Sequence, residues 1–336
     1  MSIKRVSSAT WIVPGRTSNG FHVVYCDDEG NLRCTCPGYS FHGKCRHVRA
    51  VSVIYKPPCP NTGGANMVES YQTGFKFVDN LIGGFRPTVI YGIFGESQVG
   101  KTLTSLHFAY ALSEAMGKNI LLIDTEGGLE EFVEAWDKKL RSRFDAGEVL
   151  IETKRSILSV MRFFGYKIKF KTSDRGKMTL QLLDMDEEAP VETIIKKNNI
   201  GVIVIDSLTA PLRIFPSATE NFPVRSDVTG LWLAKLQDII EKYRVIVLVT
   251  HHESLNPQNP YADPNLRGGM IVRYLTKVIF YIERYNSKKL KVNLRKFWLM
   301  RYFDKPEWGA MSVYKITDVG VQDLTEDELR VIGQKR

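Results

Sequence analysis

A chain of 336 residues exceeds what one small core usually fills, which predicts a large domain with something smaller attached. Hydrophobic residues make up 43% and charged residues 25%, and no apolar run approaches the roughly 18 residues a membrane helix requires, so no membrane partner is expected. The net charge of +9 admits a nucleic-acid partner without requiring one. The opening Met1-Ser2-Ile3-Lys4-Arg5 lacks the apolar stretch of a secretory signal, so the expectation is a soluble intracellular protein. Five cysteines, odd in number and clustered, argue against a disulfide framework.

Residues 1–55 read as one compact unit. Trp11-Ile12-Val13 and Phe21-His22-Val23-Val24-Tyr25 are short strand candidates, Asp27 to Asn31 is a turn, and His47 to Tyr55 is a short helix. Within this unit Cys34-x-Cys36 and Cys45-x-His47 flank an eight-residue loop. Three thiolates and one imidazole complete tetrahedral Zn²⁺ and leave no open position, so the site is structural. His42 is a rival ligand in mid-loop, and Cys26 and Cys59 read as plain small apolar residues. Residues 56–69 form the linker, since Lys56 to Gly64 holds three prolines and two glycines.

Residues 70–336 follow an α/β pattern. Buried-strand candidates are Thr88 to Phe94, Asn119 to Asp124, Gly201 to Asp206 and Val245 to Thr250, with helices at Thr102 to Met116 and Ser226 to Tyr243. That alternation predicts a mostly parallel sheet with crossover helices. An insertion at about 161–185 departs from it. There Tyr166, Ile168 and Phe170 alternate with Lys167, Lys169 and Lys171, then a turn at Ser173 to Gly176 precedes Met178 to Leu182, giving a hairpin with an apolar and a basic face.

Gly95-Glu96-Ser97-Gln98-Val99-Gly100-Lys101-Thr102 fits G-x-x-x-x-G-K-T between a predicted strand and a predicted helix. The glycines let successive N–H groups face phosphate oxygens, and the helix dipole adds positive potential. Lys101 is assigned to the β- and γ-phosphates of ATP and the Thr102 hydroxyl to Mg²⁺. Val202-Ile203-Val204-Ile205-Asp206 ends in a carboxylate at the carboxyl edge of the sheet, a Walker B position where Asp206 holds Mg²⁺. Glu126, at the end of the strand after the P-loop helix, is the candidate base that orients water.

Five separated stretches over about residues 70–325 resemble the RecA/RadA recombinase family. Thr73-Gly74 with Asp79, Leu81, Gly83 and Gly84 resembles its "T-G-x-x-x-x-D-x-L-x-G-G", and Ile123-Asp124-Thr125-Glu126-Gly127 its "I-D-T-E-G". Ile205-Asp206-Ser207 resembles its Walker B, Asp304-Lys305-Pro306 its "D-S-P", and Ile316 to Asp323 its closing "I-T-x-x-G-I-x-D". The resemblance implies a RecA-like ATPase core that assembles into rings or filaments on single- or double-stranded DNA, with ATP between neighbours and Pro306 in the segment that caps it. A recombinase of the same family is a further implied partner. It implies Glu126 as catalytic base, and Gly268-Gly269 with Lys277 closing the second DNA loop. His251-His252 stand where the family has Asn-Gln, which sense the γ-phosphate, and His252 retains a donor for that task. The presumed DNA loops, about 214–224 and 253–267, hold no basic residue except Arg267, which does not favour strong phosphate neutralisation there.

The Cys34-Cys36-Cys45-His47 pattern, with strands before and a helix after, resembles the SWIM zinc finger, a DNA- or protein-binding module; Arg33, Lys44, Arg46 and Arg49 surround it. The combined expectation is a recombinase paralogue acting in recombination or repair, in the nucleoid of a prokaryote or the nucleus of a eukaryote. A ring-forming helicase or translocase and an ATP-assembled scaffold are the alternatives.

Overall fold

The computed structural model describes residues 3–7, 10–15, 21–26, 31–36, 39, 43–55, 69–173, 178–215, 222–254, 265–266, 272, 276–287, 289–302 and 310–333. Several expectations fall outside these residues: linker positions 56–68, turn positions 27–30 and 174–176, His42, Cys59, Gly268-Gly269, Asp304-Lys305-Pro306 and most of both presumed DNA loops.

The N-terminal part is an antiparallel meander of β1 (Lys4–Ser7), β2 (Thr10–Pro14), β3 (Phe21–Cys26) and β4 (Leu32–Cys34), closed by α1 (Arg46–Ile54). Apolar residues on both faces of β2 and β3 leave this sheet no solvent side. Trp11, Val13, Val24 and Cys26 pack with Cys34, Cys36 and Val51. Ile12, Phe21, Val23 and Tyr25 turn the other way and join the core of the ATPase-like part. Cys26 is buried in this apolar cluster, as read, but is disulfide-bonded and so is more than a plain apolar residue.

Next come α2 (Lys76–Ile82), β5 (Ile90–Gly95), α3 (Lys101–Met116), β6 (Asn119–Asp124), α4 (Leu129–Arg141), β7 (Val149–Thr153) and α5 (Ile157–Phe163). The hairpin β8 (Tyr166–Thr172) and β9 (Met178–Met185) precedes α6 (Pro190–Lys197), β10 (Ile200–Asp206), a 3-10 turn (Ala210–Ile214) and α7 (Phe222–Tyr243). The chain ends with β11 (Ile246–Ser254), β12 (Asn265–Leu266), β13 (Val278–Tyr285), β14 (Leu294–Tyr302), β15 (Ala310–Thr317), β16 (Gly320–Asp323) and α8 (Glu326–Ile332).

The main sheet runs β16-β15-β14-β13-β5-β11-β10-β6-β7, with β12 paired to β11. From β13 to β7 every pairing is parallel, and β14 to β16 extend the edge antiparallel. Alternate side chains of each central strand feed opposite layers. Ile203, Ile205, Val247 and Val249 face the α5 and α7 layer. Val202, Val204, Ile246 and Leu248 face α2, α3 and α4. This two-sided burial is why those strands read as unbroken apolar runs. α7 begins at Phe222, four residues before the predicted start, because Pro223 in a first turn costs no hydrogen bond. β11 runs past Thr250 because its parallel pairing with β5 continues to His252↔Gly95.

The distant sequence motifs meet for mechanical reasons. Asp323 accepts the Lys76 and Phe77 N–H groups at 2.9 Å each and so caps α2. Asp79 accepts Thr73 N–H at 3.1 Å and Gly74 N–H at 2.8 Å, shaping the turn before that helix. Phe108, Ala109, Tyr110 and Ala111 are fully buried or nearly so on α3. On the hairpin, Tyr166, Leu180 and Leu182 enter the core, while exposed Lys167 pairs with Asp184 and Asp186 at 3.0 Å each.

Candidate nucleotide and metal sites

The carboxyl ends of β5, β6, β10 and β11 come level, with Asp206 opposite Asp124 and His252 opposite Gly95. This edge opens into a cleft of about 450 Å³ lined by Ser97, Gly100, Lys101, Thr102, Glu126, Asp206 and His252 among others. The P-loop residues Gly95 to Thr102 turn from β5 into α3 as the motif predicts. Gly95 must lack a side chain, because a Cβ there would stand 2.4 Å from the Ile282 carbonyl oxygen. Gly100, at φ 106, is the residue before the helix. Glu96, Ser97 and Gln98 are exposed at the loop tip and Val99 is buried beneath them. Lys101 is buried, its Nζ donating to the carbonyls of Gly95 at 3.0 Å and Glu96 at 2.7 Å.

Thr102 donates its hydroxyl to Asp206 Oδ2 at 2.7 Å, and the Thr250 hydroxyl bonds Oδ1. Burial pushes the Asp206 carboxyl up, and these two hydroxyls oppose that. Adjacent hydroxyl and carboxylate oxygens are the hard donors that suit Mg²⁺, so Thr102 and Asp206 fit the ion assigned to them.

Glu126 reaches the same cleft. Buried Asp124 bonds the N–H groups of Glu126 at 3.1 Å, Gly127 at 2.7 Å and Leu129 at 3.1 Å, which fixes the turn that presents it. His252 Nε2 lies 2.5 Å from Glu126 Oε1, and Ser207 Oγ donates to the same oxygen at 2.7 Å. Arg213 Nη2 stands 3.4 Å from that oxygen and 2.8 Å from His252 Nε2. The His252 bond, then Ser207 and the Arg213 charge, outweigh burial and hold the Glu126 carboxyl at about 2. His251 instead points into the protein, fully buried, where desolvation lowers its pKa to about 3 and keeps it neutral.

The sequence reading missed several lining residues. Phe132 and Trp136 of α4, with Leu103 and Ile316, give the cleft an apolar side wall. Arg295 of β14 donates Nε to the Val99 carbonyl at 2.5 Å and braces the P-loop from behind. Nothing in local sequence marks Arg295, whereas Ser207 and Thr250 adjoin residues already singled out.

The ligand atoms of Cys34, Cys36, Cys45 and His47 lie within 4.8 Å of one another. Cys34 Sγ is 3.7 Å from His47 Nδ1, while Arg46 Nε donates to the other ring nitrogen at 3.3 Å. Each sulfur accepts a backbone N–H: Cys34 from Cys36 at 3.5 Å, Cys36 from Tyr39 at 3.4 Å, and Cys45 from Val48 at 3.5 Å. Cys45 also caps α1; burial pushes its thiol up, and the Val48 N–H opposes that. A thiol bond from Cys34 pulls Cys36 down to about 3 and pushes Cys34 up in exchange. Four soft donors around one point fit tetrahedral Zn²⁺.

Comparison with known proteins finds matches over both parts of the chain. Residues 66–258 match the AAA domain family and residues 22–56 match the SWIM zinc finger family. A protein named DNA repair and recombination protein RadA from Metallosphaera sedula is 27% identical over 266 residues, covering 77% of this chain and 74% of its own. One of the same name from Ignicoccus hospitalis is 28% identical over 263 residues, covering 75% and 72%. A crystal structure of the RadB recombinase shares the fold, with a TM-score of 0.51 at 22% identity over 76% of this chain and 99% of that one. The SWIM match and the Cys/His cluster together support Zn²⁺ as a bound metal. Among the described residues no helix is long and apolar enough to cross a membrane. The chain belongs to the AAA-domain family as a RecA/RadA-type recombinase homologue carrying a SWIM zinc finger.

Proposed function

We propose that the chain is an ATP- and DNA-binding ATPase that works as a RadA-like recombinase paralogue in homologous recombination or DNA repair. The observation that carries this reading is the convergence of Lys101, the Thr102–Asp206 pair and the Glu126–His252 pair on one cleft. In this reading the P-loop N–H groups and Lys101 hold the triphosphate, Lys101 exchanging the carbonyls of Gly95 and Glu96 for phosphate oxygens. Mg²⁺ bound at Thr102 and Asp206 would neutralise phosphate charge. Glu126, ionised at neutral pH, orients the attacking water and accepts its proton. With its carboxyl at about 2 it is a weak base until His252 turns from it to the γ-phosphate, which lets Glu126 rise toward the ordinary carboxylate range.

Phe132 and Trp136 offer the apolar wall for the base of the nucleotide. The finger spans 1–55, the linker 56–69 and the ATPase part 70–336 in this reading. Zn²⁺ is held by Cys34, Cys36, Cys45 and His47 in a purely structural role. The relatives named as DNA repair and recombination proteins support DNA as the partner; self-assembly into a ring or filament and a place in the nucleoid or nucleus are further parts of this reading.

The test is ATP turnover with and without single- and double-stranded DNA, with oligomers imaged in parallel. DNA-stimulated hydrolysis that disappears in Lys101→Ala together with nucleotide binding is expected. Wild type without turnover on any DNA overturns the enzyme reading and leaves the scaffold; ATP-driven duplex unwinding by closed rings replaces the recombinase reading with the motor.

A further inference from the structure

Asp227 lies in the second turn of α7, 3% exposed, a carboxylate sunk in the wall of the ATPase core. A buried carboxylate is costly unless polar groups meet it. Among the described residues, the two groups that meet this one belong to the N-terminal part. The Thr35 hydroxyl donates to Oδ1, and His22 Nδ1 stands 3.6 Å from Oδ2.

Thr35 is the residue between the metal ligands Cys34 and Cys36. Its hydroxyl also accepts Val23 N–H at 3.0 Å, and its own N–H donates to the Val23 carbonyl at 3.0 Å, so the ligand turn is tied to β3. His22 lies against the ligand His47, ring centroids 4.7 Å apart. One helical turn beyond Asp227, Gly230 has no side chain, and the atoms of Val23 would stand 3.4 Å from a Cβ there. β3 therefore approaches the bare side of α7, and Phe21, Val23 and Tyr25 share one apolar core with Val228, Leu231 and Trp232.

Metal ligands are held in place by the groups bonded behind them, and losing such a group typically weakens metal binding about 10–100-fold. We propose that Asp227 of the ATPase core is a positioning residue for the zinc knuckle, acting through Thr35 and His22, so that metal loading of the finger and ordering of the start of α7 are one event. The inference rests on the reading of the Cys34-Cys36-Cys45-His47 cluster as a zinc site.

The test uses the full chain. Zinc content of wild type comes first: a metal-free, folded chain overturns the zinc reading and this inference with it. In zinc-loaded protein, chelator competition compares wild type with Asp227→Leu, Asp227→Asn, Thr35→Val and, as a control acid on the same helix, Asp238→Asn. Zinc affinity is expected to fall about 10–100-fold in Asp227→Leu and Thr35→Val and less in Asp227→Asn, which keeps an acceptor for Thr35. Asp238→Asn should stay within about twofold of wild type, since among the described residues Asp238 pairs with Lys235 on the same helix and with no residue of the finger. Hydrogen exchange of wild type, which needs no variant to fold, should speed at least about tenfold in the α7 amides from Phe222 to Trp232 when zinc is removed, with α4 unchanged. Zinc affinity within about twofold of wild type in both Asp227→Leu and Thr35→Val overturns the inference while leaving the zinc site standing, and so does α7 exchange that ignores zinc removal.

Discussion

Replacing His252 tests the electrostatic logic of the nucleotide site. Its hydrogen bond to Glu126 is the largest influence holding that carboxyl at about 2, against roughly 4.3 for an unperturbed glutamate. The interval is about two pKa units, or about 3 kcal/mol for a fully buried group. The Glu126 side chain is 34% exposed, so solvent screening reduces the recoverable energy to about 1 kcal/mol, and Ser207 and Arg213 retain a share of it. His252→Ala should therefore raise the Glu126 pKa by about one unit, and His252→Gln, which keeps a hydrogen-bond donor, by less. The sign follows from the depressed folded pKa. The contribution of Glu126 is complete above the unfolded value and is lost as pH falls through about 2. The stability gap between wild type and His252→Ala should thus be widest at neutral pH and close as Glu126 protonates in acid. Carbon-13 titration of the Glu126 carboxyl measures the pKa directly. A shift under about 0.3 units in His252→Ala would refute the assignment of His252 as the group that controls this carboxylate.

Gly95→Ala should abolish nucleotide binding and lower stability by about 2–5 kcal/mol in a denaturant melt, because its Cβ meets a strand carbonyl 2.4 Å away that moves only if β5 and β13 part. Glu192 has a fully buried side chain, bonded to Lys235 and Lys242 at 2.7 Å each. Burial pushes its carboxyl up, yet the two ammonium groups more than reverse this and hold it at about 2. Glu192→Ala should cost about 3–5 kcal/mol at pH 7 by leaving the largely buried Lys235 with only its 3.4 Å pairing to Asp238. Its penalty should shrink as pH falls from about 4 toward 2, where wild type also loses the charge. Metal analysis should find about one zinc per chain, lost in Cys36→Ser with a fall in melting temperature; folded, metal-free wild type excludes the finger.

The sequence by itself marked out the glycine-spaced loop, the carboxylates Glu126 and Asp206, the Cys/His cluster and the central strands. Each depends on local order. A glycine-spaced turn must sit between a strand and a helix, Cys-x-Cys must face Cys-x-His across a short loop, and a strand buried on both faces must be apolar throughout. Lys167, Lys169 and Lys171 against Tyr166, Ile168 and Phe170 likewise announced a two-faced hairpin by period alone. Tertiary structure decided what those pieces touch. Arg295 reaches Val99 across 196 positions, Asp323 caps α2 across 247, and Arg213 joins Glu126 across 87, distances over which no periodicity carries information. The sequence pattern read the finger as a unit of its own. The alternation in β3 adds that this unit packs on a neighbour, since Val23 and Tyr25 join the larger core while Val24 and Cys26 complete the finger's own cluster. A strand apolar on both faces signals burial on both, and only the folded chain shows that Asp227 and Gly230 of α7 lie against one of them.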